Sequence, residues 1–330
     1  MTIINRQDLL SKLKQVSLGA SKKEVVQQSH CVVFRKGRMW TFNDEVACVA
    51  DMGLDIDGAC PVHELMKLLE ALDSDEVKIE IKGEGLTIKS GRKRKSVVFL
   101  TKDISLPIDE IKYPSEWKTL PPDFVESIKS VSSCASTNAS LFALVCVHLT
   151  PGYIESSDDM RICRYYVETG IENSLVRAVS LASISDHCVK EVGETADWIH
   201  FRSSSGCILS CRRYQGNYVR IDDHLKVNGS EVFLADGISK ALKTCKIFSS
   251  DDEVMVEVAS KGVRITGKGN YGYHQEVITG TKYSGDPFGF VIGIKLFKDI
   301  LNRTNKCTIG SDRICVKNDK WIYVTMVMPK

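Results

Sequence analysis

Seven histidines, His30, His63, His148, His187, His200, His224 and His274, are the first residues to test for chemistry, because imidazole ligates metals and moves protons near neutral pH. None forms a His-Glu-x-x-His arrangement, and none stands at metal-ligand spacing from a cysteine. The chain has twelve cysteines and no Cys-x-x-Cys. Cys31, Cys48, Cys146, Cys188, Cys207 and Cys315 sit inside apolar stretches, the setting of buried free thiols rather than of a disulfide or metal framework. There is no Gly-x-Ser-x-Gly and no Walker loop. The run from Gly267 to Gly272 looks like a phosphate loop, but it lacks Gly-Lys-Ser/Thr and lies between alternating segments, so a hairpin turn is expected there. Asp158-Asp159 and Asp251-Asp252 offer paired carboxylates without an evident third ligand, which is the pattern of solvated turns. These residues point away from an enzyme, and no cofactor is expected.

The elements that carry the remaining polar residues repeat. Three segments begin at Asp8 (DLLSKLKQVSLGAS), Asp123 (DFVESIKSVSSCAS) and Gly237 (GISKALKTCKIFSS) at nearly equal spacing. Leu9, Leu13 and Val16 match Phe124, Ile128 and Val131, then Ile238, Leu242 and Cys245, an i, i+4, i+7 stripe that buries one face of a helix. A second helical stretch follows in each third, at HELMKLLEAL from His63, LASISDHCVKEV from Leu181 and IKLFKDILNRT from Ile294. Each precedes a pair of alternating strands with Gly, Ser or Asp turns. One such match arises by chance in any α+β protein; three in register do not. The expectation is an α+β chain of three similar domains, 1–113, 114–225 and 226–330, with breaks near Tyr113-Pro114 and Asp222-Asp223.

The length of 330 residues suits two or three domains, and 43% hydrophobic with 26% charged residues describes a globular chain. No apolar run approaches the roughly 20 residues that cross a bilayer, and the N-terminus has no signal-peptide core, so a cytoplasmic protein without a membrane partner is expected. A formal net charge of +2 means that any nucleic-acid surface must come from how charge is distributed. The densest basic run, Arg92-Lys93-Arg94-Lys95, reads as a charged strand edge that discourages pairing.

With this repeat in place, the chain resembles the bacterial DNA polymerase III β subunit, the sliding-clamp family, through all three thirds. The resemblance rests on GEGLTIKSGRKRKSVVFL from Gly83, IESSDDMRICRY from Ile154, CRRYQGNYVRI from Cys211 and IYVTMVMPK from Ile322. Ser90-Gly91-Arg92 fits the family's Ser-Gly-Arg turn, and Ser157 to Ile162 fits its Thr-Asp-Gly-His-Arg-Leu turn in part. Asp159-Met160 replaces Gly-His, Val219 stands where proline is usual, and the chain ends at Pro329-Lys330. The resemblance implies a head-to-tail homodimeric ring, with helices lining the inside and sheets outside. It encircles duplex DNA as a processivity factor and binds a DNA polymerase and clamp loader through short peptide motifs.

Such a ring needs cations on its helices that touch phosphates without reading bases. Lys240 and Lys243 face away from the buried stripe of the third helix, Lys12 and Lys14 flank that of the first, and Lys129 sits similarly on the second. A solvated helix face explains any one of these, whereas recurrence favours the DNA reading. The resemblance adds Lys22, Lys23 and Asn138 to the DNA surface. It implies a partner cleft of Leu144, Ile162, Val219, Met326, Met328 and Pro329, where flexible methionines suit several peptides. It also implies a dimer interface at Leu106, Ile247 and Phe248. Two other readings stand beside it: a monomeric clamp homologue serving as adaptor or decoy for such peptides, and a metal-dependent nuclease or hydrolase of repeated α+β domains.

Overall fold

The computed structural model describes residues 2–91 and 94–330, so Arg92 and Lys93 of the basic run lie outside the described residues. The chain divides into two compact units, one of residues 1–132, 148–152 and 168–216, the other of residues 133–147, 153–167 and 217–330. Both mix helices with antiparallel sheet.

In the first unit, helix α1 (Arg6–Val16) buries Leu9, Leu13 and Val16 and packs on α2 (Val62–Glu70). The Asn5 side chain caps α1 by accepting the Asp8 backbone N–H at 3.1 Å, which satisfies one of the free donors of the first turn. A four-stranded sheet runs Thr2–Asn5, Glu76–Lys82, Gly85–Ser90, Arg94–Phe99. An eight-stranded sheet places Val46–Asp51 beside Ile208–Arg212 in antiparallel register, which joins strands far apart in sequence. Helix α3 (Phe124–Ser132) buries Phe124, Ile128 and Val131 and packs on α4 (Ala178–Ala182).

The second unit repeats the arrangement. Helix α5 (Ile238–Phe248) buries Ile238, Leu242 and Cys245 and packs on α6 (Ile294–Arg303). A five-stranded sheet runs Gly272–Ile278, Gly262–Gly269, Glu253–Ala259, Phe288–Gly293, Met328–Pro329. A run of six antiparallel strands takes the order Tyr153–Ser157, Arg161–Tyr166, Trp321–Met326, Arg313–Lys317, Lys306–Ile309, Ser230–Phe233.

Three expectations change in detail. The helix read from Leu181 through Val192 stops at Ala182, passes through a single 3-10 turn at Ser183–Asp186, and becomes a strand at Val189. The Ser185 hydroxyl donates to the Ala182 carbonyl and competes with the helical ladder, and Cys188 takes a left-handed φ of 47°. That turn leaves Cys188 exposed rather than buried; the other eleven cysteines are buried and all twelve are free. Burial pushes the Cys60, Cys207 and Cys307 thiols up to about 12, which keeps them protonated and unreactive. Leu106, expected at a surface, is only 5% exposed and packs in a core with Val33, Phe42, Ile108 and Trp198.

The glycine run at 267–272 is a hairpin, with Gly269 opposite Gly272. A Cβ on Gly269 would stand 2.2 Å from the Phe248 carbonyl oxygen, and Gly272 holds φ +139°, so the turn requires both.

Candidate functional site

The best-formed candidate is a groove of about 260 Å³ within the second unit. Its floor is apolar, from Leu144, Ile162, Ile221 and Val324, and its open side carries Met160, Val219 and Met326. Four of the six residues expected in a partner cleft, Leu144, Ile162, Val219 and Met326, therefore share one depression. Met328 and Pro329 do not line it. They pair with Val291 and Phe290 as the last strand of the five-stranded sheet, and Lys330 forms an ion pair with Glu257.

Two buried arginines set the groove's shape. Arg161 is held by Asp158 at 2.9 Å and by Asp299 of α6. Asp158 also accepts the backbone N–H groups of Met160 and Arg161, and Asp159 stands at φ 71°. The Asp158-Asp159 pair is thus a structural turn: one carboxylate is saturated and the other sits on an exposed bend. Arg164 pairs with Glu155 at 2.6 Å and Asp222 at 2.8 Å and stacks over the Tyr153 ring. The Arg164 guanidinium holds the Asp222 carboxyl below its usual range. This anchors the segment that bears Val219, Ile221 and His224. Arg220 and Arg313 add cations at the rim beside His224, Arg313 being paired with Asp312 at 2.7 Å. The combination suits a short apolar segment flanked by acidic groups.

The expected cationic residues are all exposed, but their surroundings differ. Lys12 donates to the Asp51 carbonyl at 3.0 Å, and Lys14 pairs with Glu70 at 3.0 Å. Lys22 and Lys23 lie in the segment between α1 and the strand Cys31–Arg35, and Lys129 lies on α3. Asn138 takes the Ser140 backbone N–H on its side-chain oxygen and shapes its own turn. Lys240 and Lys243 stand on the face of α5 opposite its buried stripe. Lys295 and Lys298 of α6 were not singled out in the sequence, although their i, i+3 spacing on a helix already read there was a usable signal.

The apolar surface at the sheet ends is larger than the sequence suggested. Ile247 is 77% exposed at the end of α5, and the Phe248 ring stacks on His274 at 6.1 Å. The strand Arg94–Phe99 closes one end of the first unit's four-stranded sheet and exposes Val97 and Phe99, the latter by 79%. The strand Gly272–Ile278 closes one end of the second unit's five-stranded sheet and exposes Tyr273, by 67%, and Val277. Period-two alternation marked these strands, but nothing local showed which strand would stand at an edge. Among the described residues, no group of three or more His, Cys, Asp or Glu side chains is placed to hold a metal ion, and no helix is long and apolar enough to cross a membrane.

No family model and no curated protein matches the chain. Solved structures match over its whole length. The DNA polymerase III β sliding clamp of Pseudomonas aeruginosa, crystallised with griselimycin, is 14% identical, with 99% of each chain covered and a TM-score of 0.85. The β subunit of Thermotoga maritima is 14% identical, with 99% of each chain covered and a TM-score of 0.83. The Bacillus subtilis sliding clamp is 13% identical, with 99% of this chain and 98% of that one covered and a TM-score of 0.84. The chain has the α+β fold of the DNA polymerase III β sliding clamps.

Proposed function

We propose that this chain is a DNA sliding clamp, a polymerase processivity factor that does no chemistry of its own. Two copies join head to tail into a closed ring of six similar domains, residues 1–113, 114–225 and 226–330 of each chain. Duplex DNA passes through the ring, with exposed lysines contacting phosphates and no side chain reading bases. A polymerase held to the ring stays near the template by effective concentration rather than by affinity for DNA. The observation that carries this reading is the full-length match in fold, at a TM-score of 0.85 with 99% of both chains covered.

Three features of the chain support the details. Threefold recurrence of a helix pair places exposed lysines on a helix of each third: Lys12 and Lys14 on α1, Lys129 on α3, and Lys240 and Lys243 on α5. The groove around Leu144, Ile162, Val219 and Met326 is the site we assign to peptide segments of the polymerase and the loader. The edge strands Arg94–Phe99 and Gly272–Ile278, each carrying exposed apolar side chains, are suited to meet between copies, with Ile247 and Phe248 beside the second. Leu106 is buried in the core of its own unit, and we assign it no part in that contact.

Sedimentation tests the assembly. A particle of twice 36.8 kDa at micromolar concentration is expected. A species that remains at 36.8 kDa forms no two-subunit ring and removes the tethering function with it.

A further inference from the structure

The three helix pairs are alike in packing and unlike in charge. Helices α5 and α6 carry Lys240, Lys243, Lys246, Lys295, Lys298 and Arg303 against Asp299 alone, an excess of five positive charges. The excess on α1 and α2 is one, and on α3 and α4 it is zero. Lys246 is paired with Asp252 at 3.4 Å, which lowers the excess available on this pair. Asp299 is turned to Arg161, so it does not neutralise the lysines of its own helix. On α1, by contrast, Lys14 is paired with Glu70, and Lys12 is tied down by the Asp51 backbone carbonyl. Lys240, Lys243, Lys295 and Lys298 have no ion pair or side-chain hydrogen bond among the described residues. Helix α4 has no charged residue at all and exposes Val179.

We propose that the phosphate contacts of bound DNA concentrate on α5 and α6, with Lys295 and Lys298 joining Lys240 and Lys243, and that α4 stays out of contact. This rests on the clamp reading and adds to it a preferred side of each copy, against which the duplex rides. The lysine ammonium, a point charge on a flexible stem, suits a contact that must shift from phosphate to phosphate. Each phosphate neutralised releases counterion, so every such lysine adds about 0.9 to the slope of log affinity against log salt.

The test uses a fluorescein-labelled linear duplex, which a ring can enter through its ends, with anisotropy measured across a potassium chloride series. The double variant Lys295→Ala/Lys298→Ala is expected to lower the slope by about 2 relative to the unsubstituted chain. Val179→Glu, which sets an acid on α4, is expected to leave slope and affinity unchanged. An unchanged slope in the double variant, or a clear loss of affinity in Val179→Glu, overturns the preferred side while leaving the clamp reading intact. An unsubstituted chain with no salt-dependent affinity for the duplex overturns the phosphate contacts, and failure of that chain to be retained on closed circular DNA overturns the clamp reading as well.

Discussion

His200 is a residue that could do chemistry and instead holds a core together. It is fully buried; its Nδ1 meets the Ser210 hydroxyl at 2.8 Å and its ring packs 5.2 Å from that of Tyr113. Burial pushes its pKa down to about 4, because the imidazolium cannot be solvated there. The unfolded chain therefore takes up a proton near pH 6.5 that the folded chain refuses until about pH 4. Stability is greatest above pH 6.5 and falls as pH drops through that window, by up to about 3 kcal/mol from this residue. Replacing His200 with Gln should flatten the pH dependence of the melting temperature between pH 4 and 6.5. An equally steep profile in the variant would assign the acid sensitivity elsewhere. The absence of catalytic spacing around this histidine was legible in the sequence. Its burial was not, because Ser210 and Tyr113 reach it only through sheet pairing and packing.

Elements were legible in proportion to how far their own residues dictate them. α1, α3 and α5 bury the stripes expected of them, since 3.6-residue periodicity is a property of the segment alone. α4 was overread because a Ser-rich stretch offers its backbone side-chain partners that a helix does not need. The C-terminal residues were misplaced for a different reason. Met328-Pro329 pairs with Phe290 and Val291, a long-range partnership that local pattern does not show. The groove therefore depends on the segment 217–225 and not on the last three residues. Val219→Asp should weaken binding of a peptide copied from a polymerase C-terminus roughly tenfold or more, since it sets a charge on an apolar wall. Removal of Met328 to Lys330 should change that affinity little, and a large loss would return the terminus to the groove. At the sheet ends, Phe99→Asp should weaken self-association roughly tenfold to a hundredfold, the worth of one buried aromatic side chain. Unchanged sedimentation at low concentration would place the contact between copies elsewhere.

At the scale of the molecule, internal repetition was the strongest signal, because three equal spacings constrain architecture more than any motif does. The pairing of Val46–Asp51 with Ile208–Arg212 shows what repetition leaves out: strands from the first and second thirds share one sheet, which no periodicity within either third encodes. The uneven charge of the helix pairs was written in the composition of α5 and α6, yet its weight came from the partners that engage Lys12, Lys14 and Asp299. The central claim is topological, and the measurement that tests it most directly is topological too. The protein is dissociated with mild denaturant, reassembled in the presence of nicked circular DNA, and passed over a sizing column in high salt. The account predicts that protein travels with the circles and is released when a restriction nuclease linearises them. Protein that leaves circles and linear molecules equally, or that stays bound after linearisation, contradicts a ring around DNA.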